Sequence, residues 1–171
     1  MVQVGPDTRI EGWDGCSGYH YSDTIIYGFS HTHLSGTGIG DYCDLLLMPI
    51  HGVPTFNNGY QDPSILNYAS SFNKKKEKAC AGFYEVNLDK HDIQVQLTCT
   101  KRVGIHQYSF SNSNDASIVV DLEHRDKLLE SELYLSSDSM IMGKRISQSW
   151  AQKQYFYFCI ALSSAYDVQF N

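Results

Sequence analysis

The second half of the chain alternates between apolar and polar residues. Tyr84, Val86 and Leu88 are separated by polar residues, and the alternation resumes over 93–99 after the polar stretch 89–92. A period of two is the pattern of a β-strand, and two such runs joined by a few turn residues predict a β-hairpin. The alternation also predicts a sheet with one buried and one solvated face.

Five further strand-like runs follow the hairpin, separated by polar clusters. They cover residues 102–110, 117–122, 132–135, 140–146 and 154–162. Short strands at even spacing are typical of an antiparallel sandwich. We therefore predict an all-β fold class, with a single, supersandwich-like antiparallel β-sandwich domain over 1–171. Because Cys99 and Cys159 fall inside apolar runs, we expect both in the core.

The first half of the chain has a different pattern. Residues 1–4 resemble the middle of a strand, but 11–42 are rich in glycine, histidine, tyrosine and serine. We expect a long loop-rich segment there, held by the sandwich, and such loops commonly carry binding residues. Residues 51–81 have the composition of a long connection, in which the lysine run 74–76 is expected to be solvated. Residues 126–132 suit a single helical turn.

Composition and charge narrow the class of protein. Of 171 residues, 19 are acidic and 13 are lysine or arginine, which gives a net charge of −6. The 42% hydrophobic content indicates a folded domain, and the negative charge disfavours a nucleic-acid-binding protein. Aromatic residues make up 13%, which favours strands and surfaces that stack on a ligand. Five scattered cysteines without a CxxC pair argue against a four-cysteine zinc site.

The most unusual stretch is WDGCSGYHY at residues 13–21. An indole face can stack on the apolar C–H face of a pyranose, while short polar side chains bind its hydroxyls. Trp13, Asp14, Ser17 and His20 are therefore candidates for a sugar site. The alternative is that Trp13 fills a core gap and the glycines form turns.

A second group contains His31 and His33, which a strand would direct to the same face. Two ligands need a third for a zinc site, and Cys16, Asp14 or His20 could supply it. Hydrogen-bonded structural histidines are the simpler interpretation. A Cys16–His20 nucleophile pair is a further alternative, although the sequence identifies no orienting group.

Four runs of the sequence stand out: VQVGPDT at 2–8, WDGCSGYHY at 13–21, GFSHTHLSGTG at 28–38 and GDYCD at 40–44. Together they resemble the N-terminal region of glycoside hydrolase family 92. This family comprises bacterial exo-acting α-mannosidases, many of them described as α-1,2-mannosidases. The resemblance is dense over residues 2–50 and looser to near the end of the chain.

The resemblance implies an N-terminal β-sandwich followed by an (α/α)6 catalytic barrel, and inverting, calcium-dependent hydrolysis of terminal α-mannosides. It places the catalytic carboxylates and most calcium ligands in the barrel, so no catalytic residue and no metal ligand is expected here. Trp13 corresponds to a wall that stacks on the sugar, with Asp14, Ser17 and His20 as polar supports. Cys16, His31 and His33 are expected behind the pocket or at the interface with the barrel.

We therefore expect the chain to be the N-terminal fragment of a two-domain mannosidase, and to be inactive without the barrel. An aromatic patch should be exposed over 11–42. The alternative is a stand-alone carbohydrate-binding or interaction module. The expected partners are α-mannoside glycans and the barrel, without nucleic acid or membrane. By resemblance the parent is periplasmic or extracellular, although this chain contains no recognisable signal peptide.

Overall fold

The computed structural model describes residues 1–34, 36 and 38–169, so Ser35 and Thr37 of the third run quoted above lie outside the described residues. As predicted, the described chain is all-β. The strands are β1 (Gly5–Asp7), β2 (Ile25–Ile26), β3 (Gly28–Ser30), β4 (Leu46–His51), β5 (Ser70–Ser71), β6 (Lys78–Cys80), β7 (Phe83–Leu88), β8 (Ile93–Cys99), β9 (Gly104–Phe110), β10 (Ala116–Asp121), β11 (Lys127–Ser137), β12 (Met140–Gln148) and β13 (Gln154–Ala161). Two 3-10 helices span Trp13–Gly15 and Lys74–Lys76.

The first compact unit, residues 1–125, contains a β-sandwich. One antiparallel sheet has the order β1-β3-β4-β10 and the other β6-β7-β8-β9, while β2 pairs with β5. Side chains of both sheets form one buried core, which includes Phe29, Leu46, Met48, Val86, Leu88, Ile93, Val95, Leu97 and Val119. The sandwich therefore forms because each sheet has one apolar face to bury.

The predicted hairpin is formed by β7 and β8. Val86 pairs with Val95 and Leu88 with Ile93, and these four side chains are buried. Gln94 lies on the opposite face of β8 and is exposed. The period of two in the sequence thus corresponds to the two faces of the sheet.

The second compact unit begins at Asp126 and contains the antiparallel meander β11-β12-β13. The helical turn expected over 126–132 is wrong, because β11 starts at Lys127 and pairs with β12 along its length. Cys159 is exposed, which corrects the expectation of a core residue. It lies in phase with the exposed Tyr155 and Tyr157 along β13. The single domain over 1–171 stays a prediction.

The N-terminal segment also differs from the expectation. Residues 1–4 lie outside the strands, and β1 begins only at Gly5. Val2 and Gln3 donate irregular backbone hydrogen bonds to the carbonyls of Lys101 and His31. Within the described residues, both helices are three-residue turns, and no helix has the length and apolar character to cross a bilayer.

Candidate functional site

Trp13 is presented on the surface but has a defined support. It begins the first 3-10 helix and is 77% exposed. Its six-membered ring lies against Gly38, where an added Cβ would come within 2.5 Å of Trp13 Cη2. The φ angle of +71° at Gly38 also favours glycine. Trp13 therefore does not fill a core gap. Its indole is exposed and packs against the backbone at Gly38.

Arg9 organises the polar side chains beside this indole. Its Nη1 donates to Asp14 Oδ1 at 2.6 Å, and its Nε donates to Asp23 Oδ2 at 3.0 Å. Its Nη2 also lies 3.4 Å from Ser22 Oγ. The planar guanidinium donates in several directions at once, so it fixes the two carboxylates relative to each other.

His20 is oriented by the same network. Its Nδ1 receives the backbone N–H of Ser22 and faces Arg9 Nη2, so Nδ1 is an acceptor and the network assigns the proton to Nε2. Nε2 lies 3.6 Å from Asp14 Oδ2. The backbone N–H of His20 donates to Thr8 Oγ1 at 2.9 Å. His20 and Asp14 thus present a donor and an acceptor side by side.

The ion pair with Arg9 determines what Asp14 can do chemically. The hydrogen bond from Arg9 is the largest influence, and it holds the pKa of Asp14 below its ordinary value. Asp14 therefore stays ionised at neutral pH and accepts hydrogen bonds. It is suited to bind hydroxyl groups, whereas a general acid needs a raised pKa.

Arg125 holds the loop from the other side. Its Nη1 donates to the carbonyl of Arg9 at 3.0 Å, and its Nη2 donates to the carbonyls of Gly15 and Cys16 at 3.1 and 3.3 Å. An added Cβ on Gly40 would collide with this guanidinium. Arg125 thus fixes the backbone that carries the 3-10 helix of Trp13.

The end of the loop is fixed by Lys74. Its Nζ lies 4.3, 5.1 and 4.5 Å from the ring centres of Tyr19, Tyr21 and Phe72. It also donates to the Tyr19 hydroxyl at 2.6 Å, and lies 3.3 Å from Glu77. The solvated lysine run expected from the sequence is wrong for Lys74, because an ammonium group binds aromatic faces.

His31 lies in a chain of hydrogen bonds in the sandwich. Its Nδ1 donates to the Leu45 carbonyl at 2.7 Å, and its Nε2 lies 3.0 Å from His106 Nε2. His106 Nδ1 faces the Tyr108 hydroxyl at 2.8 Å. Burial lowers the pKa of both histidines, to about 3 for His106. Both rings are therefore neutral structural groups.

His33 has different partners. Its Nδ1 donates to the Gln3 carbonyl at 2.7 Å and its Nε2 to Asp7 Oδ1 at 2.8 Å, while Asp7 Oδ2 accepts from His124 Nε2 at 2.8 Å. Burial opposes a charge on His33, but the charge and hydrogen bond of Asp7 raise its pKa above the ordinary value. Without a bound metal, His33 is an imidazolium in a buried ion pair.

His31 and His33 therefore do not form one side of a shared metal site. His31 Nε2 faces His106, whereas His33 Nε2 faces Asp7. In the described part of the chain, the one group with three possible ligand atoms within 4.8 Å of one another is Asp7, His33 and Cys43. Cys43 was not among the candidates recognised in the sequence.

Comparison with known proteins identifies the family. The model of the glycosyl hydrolase family 92 N-terminal domain matches residues 1–169. The chain belongs to glycosyl hydrolase family 92. The family 92 α-mannosidase BT3965 from Bacteroides thetaiotaomicron is similar, with 31% identity and a TM-score of 0.91 over 96% of this chain. Its complex with mannoimidazole gives the same values.

A more distant structure shares the fold. The family 92 inverting mannosidase BT2199 from Bacteroides thetaiotaomicron has a TM-score of 0.67 and 24% identity, and the match covers 87% of this chain and 19% of that chain. A search of curated proteins finds no match. The chain spans 22% of the length of BT3965, so it corresponds to one part of a much longer protein.

The calcium that the family resemblance implies does not fit the residues described here. Calcium prefers six to eight oxygen ligands. Asp14 and Asp23 are both paired with Arg9, and the described residues bring no three carboxylates together.

The structure brings together most of the predicted sugar-site residues. Asp14 and His20 both contact Arg9, Trp13 precedes Asp14 in the same 3-10 helix, and Ser17 is half-buried in the same loop. The backbone of Cys16 is held by Arg125 and its side chain is half-buried, so it contributes to the support of the loop. Sequence reasoning missed Arg9, although it is the only lysine or arginine in residues 1–73 and precedes several carboxylates.

Proposed function

We propose that the chain is the N-terminal domain of an inverting, calcium-dependent exo-α-mannosidase of α-1,2-mannosidase type. In this proposal the surface around Trp13 forms one wall of the pocket for the terminal mannose. The 31% identity to a family 92 α-mannosidase is the observation that carries the assignment of activity. The substrates are the terminal α-mannosides of glycans.

The chemistry of the surface supports a pyranose ligand. The exposed indole of Trp13 offers an apolar face. The next residue, Asp14, offers an acceptor, and His20 Nε2, 3.6 Å from Asp14 Oδ2, offers a donor. A sugar ring needs this combination of stacking and short hydrogen bonds. Arg9 keeps the polar groups in place before the sugar binds, which lowers the entropy cost of binding.

The catalytic groups belong, in this proposal, to an (α/α)6 barrel that follows the sandwich. An inverting glycosidase needs an acid and a base about 6.5–9.5 Å apart, and the acid must have a raised pKa. Asp14 has the opposite shift because of Arg9. We assign the catalytic carboxylates and the calcium to the barrel, and we propose a periplasmic or extracellular location for the parent enzyme.

The test is to compare the isolated chain and the full-length parent on α-1,2-mannobiose with calcium. We expect turnover only by the parent. Trp13→Ala in the parent should lower kcat/KM about tenfold or more, as loss of one aromatic stacking contact implies. Trp150→Ala is the matched control, because Trp150 is also exposed, at 64%. Turnover by the isolated chain, or equal effects of the two variants, would overturn the proposal.

The exposure of Trp13 at 77% and Tyr21 at 75% also favours a second candidate, a carbohydrate-binding module that acts without catalysis. Calorimetric titration of the isolated chain with mannobiose separates the two. Millimolar or tighter binding that is lost in Trp13→Ala would support the module. Absence of binding by the chain, with activity in the parent, would support a half-site that needs the barrel.

A further inference from the structure

A second cluster of chemistry-bearing side chains, which includes none of the proposed sugar-binding residues, lies inside the first compact unit. Asp7 ends β1, His33 follows β3, and Cys43 precedes β4. One ligand atom from each lies within 4.8 Å of the others. Asp7 and Cys43 are fully buried, and the side chain of His33 is 10% exposed. Three segments distant in sequence thus direct a carboxylate, an imidazole and a thiol to one point.

The hydrogen bonds around this cluster resemble those that orient metal ligands. His33 Nδ1 donates to the carbonyl of Gln3 at 2.7 Å, which directs Nε2 at the cluster. Asp7 Oδ2 accepts from His124 Nε2 at 2.8 Å, which directs Oδ1 at His33. Metal-binding histidines and carboxylates are commonly held by such outer hydrogen bonds, which fix the ring and the tautomer.

The backbone places the thiol at a sterically unfavourable position. Tyr42, Cys43 and Leu45 have φ angles of 77°, 56° and 55°, in the left-handed region that favours glycine. Cys43 is held there by a hydrogen bond from its N–H to the Thr32 carbonyl at 2.7 Å, beside the bridge between His33 and Tyr42. A side chain at such a position is a candidate for a role that glycine could not fill.

The donor set indicates which metal would bind. A thiolate and an imidazole are ligands of zinc, whereas calcium and magnesium take oxygen ligands. Three protein ligands leave one position of a tetrahedron, and Ser30 Oγ lies 2.9 Å from His33 Nε2. Because the cluster is buried, the zinc would stabilise the fold and would not bind substrate.

We propose that Asp7, His33 and Cys43 form a structural zinc site, distinct from the calcium of the parent enzyme. Zinc binding releases the thiol proton of Cys43 and the proton that His33 Nε2 shares with Asp7. An added Cβ on Gly18 would collide with Asp7 and His33, so the loop that carries Trp13 packs directly on the site. The metal therefore fixes the base of this loop.

The experiment uses the chain without a histidine tag, purified and analysed for metal by mass spectrometry. We expect one zinc per chain, and a thiolate-to-metal charge-transfer band after exchange with cobalt. Zinc should raise the melting temperature, and chelation should lower it. Less than about a tenth of an equivalent of zinc in the folded chain, with no cobalt band on titration, would overturn the proposal.

Cys43→Gly is the sharpest variant, because glycine removes the ligand and its relief of the left-handed backbone offsets the loss of the buried side chain. It should weaken zinc binding more than about 100-fold, while the metal-free melting temperature stays equal or rises. Cys43→Ser, which keeps the side-chain size, provides the same readout if the glycine variant fails to fold. Cys80→Ser is the matched control, since Cys80 is exposed. Undiminished zinc binding by both Cys43 variants would contradict the site.

Discussion

Gly38 determines the orientation of Trp13, the residue that we propose stacks on the sugar. Gly38→Ala adds a methyl group that would lie within 2.5 Å of the Trp13 ring. We therefore expect the indole to move, with a changed emission maximum of Trp13 measured in a Trp150→Phe background. In the parent enzyme the same substitution should raise KM for mannosides, because the stacking surface is displaced.

Gly36→Ala is the matched control for this prediction. Gly36 also has a left-handed φ, of +82°, but the described atoms leave open space around its Cβ position. Backbone strain is thus common to both variants, while the collision with Trp13 is specific to Gly38. Equal emission changes in the two variants would mean that strain, and not contact, positions the indole.

His106 should make the fold sensitive to acid. Burial, and then the neighbouring His31, lower the pKa of His106 from the ordinary 6.5 to about 3. His106 therefore binds a proton near pH 6.5 in the unfolded chain but not in the folded chain. The contribution of His106 to stability should be constant above that pH and should fall as the pH drops from about 6.5 towards 3, by at most about 1.4 kcal/mol per pH unit.

The measurement is the free energy of unfolding as a function of pH, from urea titrations. His106→Gln should flatten the slope between pH 6 and 4, because glutamine does not titrate and its amide can still donate to His31. Gln107 lies on the exposed face of the same strand, so Gln107→Ala should keep the slope of the unsubstituted chain. A full slope in His106→Gln would assign the acid sensitivity to other groups.

At the scale of the element, the hairpin β7–β8 contributes much of the core. Ile93 is fully buried at the start of β8, whereas the next residue, Gln94, is exposed. Ile93→Ala should lower the free energy of unfolding by about 2–5 kcal/mol through lost burial and the cavity it leaves. Gln94→Ala should stay within about 0.5 kcal/mol. Urea unfolding of both variants checks the pair, and similar losses would contradict the assigned faces.

The sequence predicts such strands because the period of two is a local property. Val86 and Val95 face the core in the register that their alternation requires. β11 was partly missed, since residues 126–132 carry mixed spacing and only pairing with β12 makes them extended. Strand pairing between distant segments is non-local, so it overrides a weak local preference.

The candidate site was also predictable in part, because only some of its residues are close together in the sequence. Trp13, Asp14 and His20 lie in one short segment, and their chemistry is visible in the sequence. Their organiser Arg9 contacts Asp23, and Arg125 reaches back over more than one hundred residues to Gly15. Cys43 meets Asp7 only through the fold. Side-chain contacts between remote segments carry no local pattern, so they became visible only in the structure.

At the scale of the whole molecule, the proposed function gives this chain one wall of the mannose pocket and gives the barrel the catalytic carboxylates. If a barrel covers Trp13 and Tyr21, these side chains should be less exposed to solvent in the full-length parent than in the isolated chain. Hydroxyl-radical footprinting measures this at Trp13 and Tyr21, which are 77% and 75% exposed in the chain. We expect both to be oxidised rapidly in the isolated chain and several-fold more slowly in the parent.

Adding α-1,2-mannobiose separates the two proposed functions in the same experiment. A half-site should show sugar-dependent protection of Trp13 only in the parent, because the remaining contacts that fix the sugar come from the barrel. A stand-alone module should show the protection in the isolated chain as well. Arg125 and Gly38 already hold the 3-10 helix at Trp13, so we expect any protection to reflect contact with the sugar and not ordering of this helix. Protection in neither protein would remove Trp13 from the pocket altogether.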